Sequence, residues 1–277
     1  MDTSDQIGQA FRNVDEAPDP QALVNFLAAR NSSETADRWE RQILTFLDPR
    51  PGASILDIGC GVGDDVRMLA ELVGSTGRVV GVDYSRVMVE AAQNRSRDSK
   101  LPVEFGVGNA EQLDFPDDSF DGCRTERTLM HVADPLQAIR EMVRVAKPGA
   151  PIVALEPDWD TMIVTAEDRR ITRLITQVKT DSAIRHGWIG RQLPGLFHAA
   201  GLVDVIIDTV SFTTTDFSHA RKVLDWDEPA RLAQEQGLLR ADEVAAWFAE
   251  LQSADEAHRF LAAVFAFVVC GYKPGAL

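Results

Sequence analysis

Ser54-Ile55-Leu56-Asp57-Ile58-Gly59-Cys60-Gly61-Val62-Gly63-Asp64-Asp65 decides the fold of this chain. A short apolar run enters a glycine-rich turn, and an amphipathic stretch over 65–73 leaves it. That order is a buried strand followed by a helix, with glycines that let a ligand approach the backbone and the first helical amides. Working outward, the same alternation recurs. The spacing predicts strands at 54–58, 78–82, 103–107, 119–124 and 151–155, with helices over 65–73, 85–95 and beyond Asp134. Asp134 caps that last helix, Pro135 opens it, and Lys147-Pro148-Gly149 stops it. Leu136, Ile139, Met142, Val143 and Ala146 form its apolar face.

Strands alternating with helices define an α/β chain with a doubly wound, mostly parallel sheet and helices on both faces. Apolar runs at 202–212 and 260–272 bring the strands to seven, and periodicity leaves open whether a helix leads into the last one. Helical patterns at 20–30 and 33–47, the second with Ser33 placed to cap it, suggest an N-terminal helical lid over 1–50. The ligand-binding domain then occupies 51–277, with helical insertions around 158–200 and 216–252, the latter also assigned to the lid.

Charge narrows the partners. With 28 Lys plus Arg against 43 Asp plus Glu, the net charge of −15 repels a phosphate backbone, so nucleic acid is a poor substrate. No apolar run reaches the roughly 20 residues of a membrane span. Residues 1–9 lack the pattern of a secretory signal, which points to the cytoplasm. Cys60, Cys123 and Cys270 are isolated and read as small buried hydrophobes, with no metal site.

The turn itself narrows the ligand. A dinucleotide fingerprint needs glycine where Asp64 stands, and the Asp64-Asp65 pair would repel a pyrophosphate. The pair suits a cation, although both carboxylates also complement the helix dipole. Asp83, at the end of the second strand, can accept from both hydroxyls of a ribose.

Taken together, residues 55–63 resemble the glycine-rich motif of class I S-adenosylmethionine (SAM) dependent methyltransferases. Gly81-Val82-Asp83-Tyr84-Ser85 is similar to that family's ribose motif. Gly108-Asn109-Ala110-Glu111-Gln112-Leu113 and residues 116–121 resemble its adenine loop and fourth strand, and residues 144–150 its turn before strand five. The nearest branch holds ubiquinone, menaquinone and natural-product methyltransferases. The resemblance implies a Rossmann-like seven-stranded sheet, SAM as cofactor and S-adenosylhomocysteine as product. It also implies that Asp57 and the backbone of Gly59, Gly61 and Gly63 hold the methionine end, with Thr125 nearby. Asp83 and Tyr84 would take the ribose, and Asn109 with Ala110 the adenine. Asn109 stands where the family more often has Asp, and its amide oxygen still accepts.

The acceptor is less legible. Loops after Arg124, Leu155 and Phe212 and the N-terminal helices should build its pocket. The resemblance puts His131 near the sulfonium, as a general base or as a structural histidine. Glu156, Asp158 and Trp159 leave strand five toward the same rim. Trp159, His186, Trp188 and Arg191 are the candidates to hold a flat acceptor. The expected function is methyl transfer to oxygen, nitrogen or carbon of a small molecule, with quinone or natural-product metabolism as the candidate setting. The alternative is a SAM-binding protein with another reaction or a partner-subunit role. Oligomerisation is left open.

Overall fold

Along the chain run β1 (Ser54–Ile58), β2 (Arg78–Asp83), β3 (Val103–Val107), β4 (Gly122–Glu126), β5 (Pro151–Val164), β6 (Val203–Thr214) and β7 (Ala262–Tyr272). The computed structural model describes Phe11, residues 13–31 and residues 34–275. The strands form one sheet in the order β3-β2-β1-β4-β5-β7-β6. The first five pair in parallel, and β7 runs antiparallel to both β5 and β6. The winding starts at β1, goes out to β3, then crosses back to β4, so direction reverses between β1 and β4. Ligands bind such sheets outside the carboxyl ends of the strands at that point. This is the doubly wound α/β architecture that the alternation predicts.

The helices are α1 (Pro20–Asn31), α2 (Glu34–Leu47), α3 (Asp64–Val73), α4 (Arg86–Ser96), α5 (Pro135–Val145), α6 (Arg169–Val178), α7 (Leu193–Ala199), α8 (Phe217–Leu224), α9 (Asp227–Glu235) and α10 (Ala241–Glu256). Ser85 caps α4 by accepting from the Met88 amide at 3.2 Å, and Asp134 caps α5 by accepting from Gln137 at 3.0 Å. Alternation along β1 sends Ile55 to one side and Leu56 and Ile58 to the other. Ile55 meets Ile43, Leu47 and Leu69 beneath α2 and α3, whereas Leu56 and Ile58 share a cluster with Ile139, Met142 and Phe197. Each such side chain, fully buried, contributes about 1.5–3 kcal/mol.

Some boundaries differ from the sequence expectation. The buried face of α5 centres on Ala138, Ile139, Met142 and Val145, leaving Leu136 and Val143 half-buried at its margin. β4 starts at Gly122, because the Ser119 and Phe120 amides bond the Val145 carbonyl at 2.7 and 3.0 Å in the turn after α5. β5 continues past residue 155 to Val164, with a register shift between Asp158 and Ile163. The segment expected to open a helical insertion at 158 is thus strand, held by its pairing with β7 down to Ala262. The run at 260–272 is strand from Ala262 onward. Ser33 and residues 1–9 lie outside the described residues.

Candidate active site

A cavity of about 440 Å³ opens at the carboxyl ends of β1, β2 and β4. Its walls are residues 57–61 of the first turn, 82–85 after β2, 108–111 after β3, and 126–128 and 130–133 after β4. Phe11, Val14 and Leu27 close it from the N-terminal segment, and Arg185 reaches it from the stretch between α6 and α7. The N-terminal segment is fastened there by Asp15, whose carboxylate accepts from the Ser85 hydroxyl and from the Arg86 and Val87 amides at 3.0 and 3.2 Å. Burial opposes ionisation of Asp15, but those donors hold it below the usual carboxylate range.

The glycines of the turn serve different ends. Gly59, at φ +77°, sits so close to the β4–α5 loop that a Cβ would lie 1.9 Å from Thr128 Oγ1. At Gly61, φ +52°, a Cβ would meet only the flexible Leu27 side chain, at 3.3 Å. Gly59→Ala is therefore expected to lower the melting temperature much more than Gly61→Ala, whose structural cost is about 1–2 kcal/mol of left-handed strain. Thermal denaturation of both variants checks this, and equal losses would mean that the loop contact is slack. Gly63 ends the turn at φ +76° against the Phe105 ring and is not in the cavity wall.

Electrostatically the cavity floor is dominated by one arginine. Asp57 pairs with Arg124 in the β1–β4 register, so Asp57, Arg124 and Glu126 share a face of the sheet. α2 and α3 bring Glu40 and Asp65 onto that face. One guanidinium nitrogen of the fully buried Arg124 bonds both Glu40 oxygens at 2.6 and 2.8 Å. Another bonds Asp65 at 3.1 Å and Glu126 at 2.9 Å, and Nε stands 3.4 Å from Asp57. Burial pushes Asp57 up to about 7 and Glu40 up to about 8; Arg124 pulls both down and the neighbouring carboxylates push them up again. Only half of the Asp64-Asp65 expectation applies to the cavity, because Asp64 instead pairs with Arg67 and, at 2.7 Å, with Arg95.

The other sequence candidates divide. Asp57, Gly59, Gly61, Asp83, Tyr84, Asn109, Ala110 and His131 all line the cavity. Asp83 accepts from the Gly61 and Ser85 amides at 2.9 Å each, and burial raises its pKa against those bonds. Asn109 Oδ1 accepts from the Glu111 amide at 2.9 Å, which uses one of its lone pairs locally. Thr125 is outside the wall and ties β4 to β1 by donating to the Ile58 carbonyl at 2.9 Å. Trp159, His186, Trp188 and Arg191 are outside it as well. Trp159 packs under the Lys179 ammonium, 4.5 Å from its ring centre, and His186 Nε2 bonds the Val132 carbonyl at 3.1 Å. Arg191 pairs with Asp158 and Asp160 beside the half-exposed Trp188. No residue of 156–164 or 216–252 is in the wall, so neither the rim after β5 nor the second lid segment reaches this cavity.

Sequence reading missed Arg124, Glu40, Glu126, Arg127 and Arg185. A signal existed for the first: an arginine inside a strand with neighbours on both sides must find buried carboxylates.

A doubly wound sheet with this cavity at its switch point is the architecture in which ligands bind outside the carboxyl ends of the strands. Residues 49–237 match the methyltransferase domain family, and the chain belongs to it. It is a SAM-dependent methyltransferase. The chain is 38% identical over 263 residues to an uncharacterised 37.1 kDa protein of transposon TN4556 from Streptomyces fradiae, covering 95% of this chain and 73% of that one. It is 31% identical over 189 residues to demethylmenaquinone methyltransferase of Bacillus cereus, covering 63% and 80%. In fold it is similar to the cyclase SpnF, with a TM-score of 0.59 and 24% identity over 99% of this chain and 97% of that one. Among the described residues no helix is long and apolar enough to cross a membrane. The donor set fits a cationic cofactor, since Asp57, Asp65, Asp83 and Glu126 bring carboxylates to the cavity wall, and Gly61 leaves the wall open where a Cβ would fill it.

Proposed function

We propose that this enzyme methylates a hydroxyl of a small, flat acceptor of the quinone or natural-product kind, in the cytoplasm. The observation that carries this is that His131 shares one cavity with the glycine turn and Asp83. Its volume of about 440 Å³ lies in the range of small-ligand pockets and not of polymer grooves. The relative named demethylmenaquinone methyltransferase supports a quinone-like ring as the acceptor, and the choice of a hydroxyl on it rests on His131.

Bound SAM supplies a methyl group activated by its sulfonium. In this reading Asp57 and the glycine-turn amides bind the methionine end, Asp83 with Tyr84 orients the ribose, and Asn109 with Ala110 frames the adenine. His131 takes the acceptor's proton, while Phe11, Val14 and Leu27 of the N-terminal lid exclude water from above. Little more is required, because in-line displacement depends chiefly on positioning.

Incubation with SAM and a panel of quinols, phenols and amines, read by mass gain of one methyl group, tests the acceptor class. Methylation confined to amines would overturn the hydroxyl assignment. For the cofactor, Asp83→Ala is expected to weaken SAM binding by about 2–4 kcal/mol, roughly 30- to 1,000-fold, because two hydroxyls lose a charged acceptor. Calorimetry on the folded variant measures it. An unchanged dissociation constant would remove the ribose assignment.

A further inference from the structure

Glu156 is the first residue of β5 beyond its pairing with β4, and its side chain is fully buried. One carboxyl oxygen, Oε1, accepts from the backbone amides of Thr128 at 2.8 Å and Leu129 at 2.6 Å. The other, Oε2, is buried without a hydrogen-bond partner. A carboxylate in that state would leave much of its charge unsolvated. Burial accordingly pushes the Glu156 carboxyl up to about 8, against the pull of the Leu129, Thr128 and Met130 amides and of the Arg127 guanidinium.

The segment that Glu156 grips is tightly folded. It enters with Arg127 at φ +53°, and the Arg127 amide bonds the Leu155 carbonyl at 2.9 Å. It closes with the His131 amide donating to the Thr128 carbonyl at 2.9 Å. A non-glycine residue in the left-handed region persists only where its surroundings over-determine it. Thr128 also rests on Gly59, so the loop and the glycine turn are in direct contact. Thr128, Met130 and His131 all line the cavity, whereas Glu156 does not.

We infer that Glu156 is a positioning residue for methyl transfer: its buried carboxyl, by capturing the Thr128 and Leu129 amides, fixes the Thr128–His131 loop against the glycine turn and so sets where His131 stands. This rests on the proposed transfer site. The requirement is for an acceptor oxygen at that point and not for a negative charge, so the amide of Gln should serve and an apolar side chain of similar size should not.

The test compares wild type, Glu156→Gln and Glu156→Leu as full chains, by hydrogen exchange over 127–131 and by calorimetry with S-adenosylhomocysteine. Losing both acceptor bonds should speed loop exchange in Glu156→Leu roughly tenfold or more, with Glu156→Gln near wild type. Binding of S-adenosylhomocysteine should change by no more than about threefold in either, while transfer to a panel acceptor falls in the Leu variant alone. Wild-type loop exchange in Glu156→Leu would overturn the inference, as would a Gln variant as impaired as Leu. A uniform loss of melting temperature without local exchange at the loop would do so too, by showing a merely structural role. Failure of the transfer site itself reads differently: S-adenosylhomocysteine would then leave exchange of this loop unprotected in wild type, whatever residue 156 does to the free protein.

Discussion

Arg124→Ala is expected to destabilise the protein by about 3–5 kcal/mol, the cost of leaving buried carboxylates without their cation. Glu40, Asp57, Asp65 and Glu126 all direct oxygens at this guanidinium, and they come from α2, β1, α3 and β4, so the loss also loosens the joint between the N-terminal helices and the sheet. The pH dependence has a definite sign. Asp57 and Glu40 already titrate above their ordinary values with Arg124 pulling them down. Removing that pull raises both further, and a carboxyl raised in the folded state loses stability as pH climbs from its unfolded value through its folded one. The deficit of the variant should therefore be larger at about pH 8 than at about pH 5, where protons take over from the arginine. Denaturant titrations at the two values measure it. A deficit under about 1 kcal/mol, or one independent of pH, would mean that water solvates the cluster well enough for Arg124 to be dispensable.

His131→Ala should lower the rate of transfer to a hydroxyl acceptor by roughly 10²- to 10⁴-fold, with SAM affinity nearly unchanged. The half-buried imidazole stands in the cavity wall between Met130 and Val132, at the close of the loop that begins with Thr128. The Phe11 ring from the N-terminal segment lies 6.5 Å away, centre to centre. An acceptor hydroxyl must shed its proton as the new bond forms, and a base in that wall can take it. The acid-side limb of the pH–rate profile should disappear along with the rate. An acceptor atom that needs no deprotonation would instead show a loss of about tenfold or less, from positioning alone. Steady-state rates across pH, with SAM binding measured in parallel, separate these outcomes. A small loss with an unaltered pH profile on a proven hydroxyl acceptor would remove His131 as the base.

Much of this fold follows from local pattern alone. Strand–glycine turn–helix at 54–73, the alternation that follows, and caps such as Ser85 and Asp134 are set by neighbours within a few residues, so sheet class, most elements and the turn that lines the cavity were legible from them. Asp83, Asn109 and the glycines fall at strand ends whose place in the winding follows from chain order, and Asp83, Gly61 and Asn109 line the cavity. Tertiary structure decided the rest. β5 reads as a strand of five residues until β7, more than a hundred residues later, supplies the partner that extends it to Val164. The same extension carries Trp159 and Asp158 away from the cavity, and Trp188 and Arg191 follow into packing and ion pairs outside it. Arg124 looks like an error in a buried strand until α2 and α3 fold down carboxylates that no spacing rule connects to it. The role of Glu156 likewise exists only because β5 passes beneath the loop after β4. Periodicity reports which face of an element is buried, but not what the opposing element brings to meet it. Charge networks and acceptor pockets are built from such meetings, and so they become visible only once the chain has folded.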